Sequence, residues 1–112
     1  MRIFCKIKNK EIPTELIYED GDFLVFPDIA PKAPRHLLII PKEHIPSLNS
    51  LEDVNLSGKM LLLVKKIAKQ EGFSEDGYKV VINTGSDGGQ EIDHLHVHLL
   101  GYKPKEKEVT VS

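Results

Sequence analysis

Three of the chain's five histidines stand at His94, His96 and His98, each separated from the next by one aliphatic residue. Imidazole titrates near neutrality, so such a cluster makes poor packing and useful chemistry. On an extended strand, residues two apart share a face, so Leu95, Val97 and Leu99 would feed a core while the three rings project from the other side. Strand rise would put neighbouring histidines about 6.6 Å apart and the outer pair about 13 Å apart, too far for all three to bind one zinc. That spacing favours a nucleophile over a metal site. A neutral imidazole nitrogen can attack phosphorus, and adjacent imidazoles oppose one another's protonation.

The preceding loop, Gly85-Ser-Asp-Gly-Gly-Gln90, holds three glycines whose peptide N–H groups could turn toward an anion. Asn83 adds a neutral donor at the same end. A phosphate cradle beside a nucleophile is the resulting expectation.

The elements that must carry these groups are legible as periodicity. Ile3, Phe4 and Ile7 predict a short amphipathic helix closing near Pro13. Two apolar runs flanking Asp20-Gly21, residues expected to accept positive φ, predict a hairpin. His36 to Ile40 reads as a buried, central strand stopped by Pro41. Ser50 with Asp53 resembles a capping box opening the main helix, with Val54, Met60, Leu61, Val64, Ile67 and Ala68 as its apolar stripe and Gly72 at its end. Two further strands are expected over Tyr78–Gly85 and His94–Tyr102, and residues 103–112 as a surface tail. The sum is one α+β domain over residues 1–112 with a mainly antiparallel sheet.

Composition narrows the setting. A net charge of -2 over 112 residues gives no general attraction for nucleic acid or an anionic membrane. Cys5 is the only cysteine, so no internal disulfide can form, and charges among Arg2 to Lys10 interrupt a signal-peptide core. No apolar run approaches the roughly 20 residues of a membrane helix. A cytoplasmic protein is expected.

The His94 to Leu100 run, together with "IFCKIKNKEIP", "DIAPKAPRHLLIIPKEHI" and "VVINTGSDGGQE", resembles the histidine triad superfamily and its Hint branch over Ile3 to Gly101. The resemblance implies a five-stranded sheet with two helices, and a homodimer with one ten-stranded sheet. It also implies hydrolysis of purine nucleoside phosphoramidates or acyl-adenylates, AMP or GMP conjugates, through a nucleotidylated His96. By the same implication His98 and His94 flank the reacting group and His36 supports them. Asn83, Gly89, Gln90 and Glu91 hold the α-phosphate, Asp28 binds the ribose, and Ile3, Phe4, Ile7, Phe26 and Ile29 enclose the base.

The chain departs from that pattern in four places. Glu91 replaces a common serine, and Asp93 a common aromatic residue. Arg2 stands where zinc-binding relatives have a first cysteine, so a site at Cys5, His44 and His94 would lack a ligand; no metal and no cofactor are expected. The aromatic C-terminal tail of animal Hint proteins is missing. Rival readings are a dinucleoside polyphosphate hydrolase, a nucleotide-binding regulator and a zinc-binding sheet protein.

Overall fold

A computed structural model describes residues 15–73 and 75–102. The expected N-terminal helix, the apolar side chains Ile3, Phe4 and Ile7, and the tail 103–112 lie outside those residues. The described chain forms β1 (Tyr18–Glu19), β2 (Phe23–Pro27), β3 (Arg35–Pro41), a 3-10 turn (Leu48–Ser50), helix α1 (Val54–Glu71), β4 (Lys79–Val81) and β5 (Val97–Gly101). The five strands make one antiparallel sheet in the order β1-β2-β3-β5-β4, with β3 at its centre.

The hairpin forms where expected but closes differently. Asp20 Oδ1 accepts from the N–H groups of Asp22 and Phe23, both at 2.8 Å, so a carboxylate shapes the turn. Gly21 is not among the glycines at positive φ, so its conformational freedom is not what makes the turn.

Alternation along the strands divides the sheet into two faces. Phe23, Val25, Leu37, Ile39, Val97 and Leu99 pack beneath α1. Leu24, Phe26, Leu38 and Ile40 occupy the other face, where Leu38 pairs with His98.

Asp53 caps α1 by accepting from Leu56 N at 3.0 Å, whereas the expected Ser50 ends the 3-10 turn. The buried stripe is Leu56, Met60, Leu63, Val64, Ile67 and Ala68. Val54 and Leu61, expected inside, are 83% and 58% exposed. They stand seven residues apart, about two helical turns, so they share a second apolar line facing away from the sheet. Gly72 ends the helix at φ 89°, as its lack of a Cβ permits. Among the described residues no helix is long and apolar enough to cross a membrane.

Both late strands are shorter than their sequence patterns. β4 stops at Val81 before the glycine loop, and β5 starts only at Val97 because the preceding residues bond elsewhere: His94 N to Ile92 O at 2.8 Å and Leu95 N to Ile45 O at 2.7 Å. The end of β5 is fixed by close packing. A Cβ on Gly101 would stand 2.6 Å from Phe73 Cδ1, and that ring is fully buried. Gly101→Ala should therefore destabilise the fold by about 1–3 kcal/mol, measured by urea denaturation, while Gly21→Ala, with nothing within 4 Å of its added Cβ, should leave the midpoint nearly unchanged.

Candidate active site

β3 and β5 carry the first pair of imidazoles. His36 Nε2 lies 2.9 Å from His98 Nδ1 on the face away from α1. The proton between them can be assigned from the far side of His36. Lys32 N donates to His36 Nδ1 at 3.0 Å, and a peptide N–H cannot accept. Neutral His36 therefore holds its proton on Nε2 and donates it to His98 Nδ1. Neutral His98 in turn carries its own proton on Nε2. Asp28 Oδ2 stands 3.4 Å from His36 Nε2, while Oδ1 accepts from Ala30 N at 2.8 Å.

Burial keeps these rings neutral. It pushes His98 down to about 4, with His96 and His36 adding to the effect. His36 is also lowered by burial, against the opposing pull of Asp28.

His96 is held by backbone. Its Nδ1 donates to the carbonyl of His94 at 2.7 Å, which places the lone pair of the neutral ring on Nε2. The rings of His96 and His98 meet edge to face with centroids 4.9 Å apart. His94 is used differently from its neighbours. Its ring is 2% exposed, Nε2 donates to Pro41 O at 2.9 Å, and Nδ1 lies 3.2 Å from Nδ1 of His44. Burial holds it at about 4. The even row of three rings expected from strand geometry is therefore replaced by a bent segment, with only His98 inside β5. His94 reaches His96 through its carbonyl.

The glycine loop is a closed turn. Gly88 N and Gln90 N donate to Gly85 O, and Gly89 N donates to Ser86 O. Asn83 Nδ2 donates to Gly88 O at 2.8 Å. Gln90 spans the loop base: Oε1 accepts from Gly85 N, and Nε2 donates to Pro46 O and Ile92 O. Gly89 sits at φ 81°, and a Cβ on Gly88 would collide with the carbonyl of Thr84. The N–H groups of residues 88–90 thus point into the turn. Glu91 and Asp93 are exposed beyond it. Phe26 is buried on the His36 face, whereas Ile29 is 88% exposed beside Asp28.

The sequence matches the model of the HIT domain over residues 9–105. The chain belongs to the HIT family. Protein HitA of Neisseria gonorrhoeae is 54% identical over 101 residues, covering 88% of this chain and 94% of that one. Purine nucleoside phosphoramidase of Escherichia coli (strain K12) is 48% identical over 104 residues, covering 91% and 87%. Among solved structures, a HIT family hydrolase from Legionella pneumophila superposes with a TM-score of 0.86 at 50% identity, covering 90% of this chain and 92% of that chain.

Within this HIT domain the donors Asp28, His36 and His98 lie within 4.8 Å of one another, close enough to consider a metal. The tautomers oppose it. Metal at His36 Nε2 would move the proton to Nδ1, directly against the Lys32 N–H. Nothing in the sequence marks Pro41 O, Ile45 O or the Lys32 N–H as site groups, because a backbone partner has no residue-type signature. His44 was visible in the sequence only as a soft ligand.

The low histidine pKa values predict acid lability. His94 and His98 sit near 4 in the fold against an ordinary 6.5, so between those values the unfolded chain binds more protons. Stability is then complete above about pH 6.5 and falls as pH drops toward about 4. Urea midpoints measured across that range should decline on the acid side; a flat profile would contradict neutral, buried rings.

Proposed function

We propose that this HIT protein is a nucleotide hydrolase that cleaves purine nucleoside phosphoramidates or acyl-adenylates through a nucleotidyl-His96 intermediate. One observation carries the reading: His96 Nδ1 donates to the His94 carbonyl at 2.7 Å, so the neutral ring has its lone pair on Nε2, beside His98. His96 Nε2 bonds to the α-phosphorus as the P–N bond breaks, with the electron pair staying on the departing nitrogen. That nitrogen takes up a proton delivered from solvent through His98. Water then bonds to phosphorus, releases a proton, and returns the electron pair to His96 Nε2, freeing the nucleoside monophosphate.

The phosphoramidase relative supports the substrate class. Asp28 binds the ribose, with Phe26 and Ile29 beside the base. Because the loop amides of 88–90 close on themselves, the phosphate takes its hydrogen bonds from the Glu91 N–H and the second hydrogen of Asn83 Nδ2. Glu91 is exposed, so solvent screens its carboxylate from the anion.

The protein works as a homodimer. β4 is an edge strand, and Val80 on its helix-side face is 40% exposed. On α1, Leu61 and Leu62 are 58% and 66% exposed, an apolar patch for a second copy to cover alongside the β4 edge. Leu61→Glu with Leu62→Glu should convert the dimer to monomer by sedimentation.

The chemical reading is tested by trapping. Mixed with a labelled adenosine phosphoramidate and quenched in base, wild-type protein should carry a nucleotidyl mass adduct on the peptide containing His96. His96→Ala should lose the adduct and more than about 10³-fold in turnover. Faster cleavage of a diadenosine polyphosphate than of the phosphoramidate would move the chain to the polyphosphate hydrolases.

A further inference from the structure

The connection from Pro41 to Pro46 grips the segment before β5 at three points: Pro41 O on His94 Nε2, His44 Nδ1 on His94 Nδ1, and Ile45 O on Leu95 N. Because Pro41 O can only accept, His94 holds its proton on Nε2 and has a lone pair on Nδ1. His44 must therefore supply the hydrogen between the two Nδ1 atoms, and its ring stands edge-on to His94 with centroids 5.1 Å apart. His44 is exposed, yet it bonds to His94, which is 2% exposed.

The peptide unit joining His94 to Leu95 is where this grip reaches the nucleophile. Its N–H donates to Ile45 O, and its C=O, on the opposite side of a trans plane, accepts from His96 Nδ1. The plane's orientation decides whether His96 keeps its proton on Nδ1. Ile45 is anchored because its side chain lies in the core beneath α1. The His94 ring is anchored by Pro41 and His44.

We infer that His44 is a positioning residue for His96, acting through the His94 ring and the peptide it belongs to. The inference rests on the nucleotidyl-His96 reading for its kinetic consequence. It does not depend on that reading for its structural one.

The test compares His44→Phe, which keeps a ring without a donor, with His44→Asn, whose side-chain N–H replaces the Nδ1–H. Two readouts are needed: kcat and KM on an adenosine phosphoramidate, and the tautomers of His94 and His96 from long-range ¹H–¹⁵N NMR. Wild type should show His94 as the Nε2–H form and His96 as the Nδ1–H form. His44→Phe should lower kcat roughly ten- to a hundredfold with KM little changed, and should lose the single His96 tautomer. His44→Asn should restore both. Wild-type kcat and tautomers in His44→Phe would overturn the inference, and so would equal losses in the two variants with matching falls in melting temperature. If wild-type protein turns over no phosphoramidate, the hydrolase reading fails, while the tautomers of His44→Phe still decide the role of His44.

Discussion

The site depends on one peptide unit, between His94 and Leu95. Ile45 O accepts from its N–H, and its C=O accepts from His96 Nδ1–H, each at 2.7 Å. Hydrogen bonds in series polarise one another, so the carbonyl facing His96 is a better acceptor than an isolated amide would be. A stronger acceptor at Nδ1 holds the His96 proton on that nitrogen more firmly. The aliphatic residues then follow from the same segment: Leu95 is buried in the main core, and Val97 and Leu99 enter the sheet beneath α1.

A second constraint is desolvation. Burial lowers the pKa of His36, His94 and His98, so the charged form of each of these rings is disfavoured. Neutral imidazoles have one donor and one acceptor nitrogen, and every described partner agrees with a single assignment. Lys32 N, Pro41 O and His94 O fix where the protons stand on three separate rings. Backbone groups cannot change tautomer themselves, so the proton pattern is built into the fold.

Much of this was legible. Strict alternation placed Val97 and Leu99 in the core and His98 on the opposite face, and the uninterrupted apolar run of His36 to Ile40 identified the central strand. Periodicity did not reveal where β5 begins, because that is settled by Ile45 O, fifty residues from Leu95 in the chain. The same distant contact bends the histidines out of their expected row. Helical pattern located α1 and placed Met60, Val64, Ile67 and Ala68 on its buried side, but not the edges of that side; Leu61 and Leu62 are as apolar as Leu63, and only packing against the sheet separates them. Asp20 and Asp53 show the local version of the problem, since a carboxylate that closes a turn and one that caps a helix look alike in sequence.

Gln90 bonds at once to Gly85, Pro46 and Ile92, so the glycine loop and the connection that grips His94 share one cross-brace. Motion of either would have to break bonds in both. The loop is therefore a fixed wall of the site and not a lid, and a lid's usual work of folding around a bound substrate is closed to it. On the hydrolase reading proposed above, selection at this end would operate by template: a phosphate group would either fit the wall as it stands or be turned away.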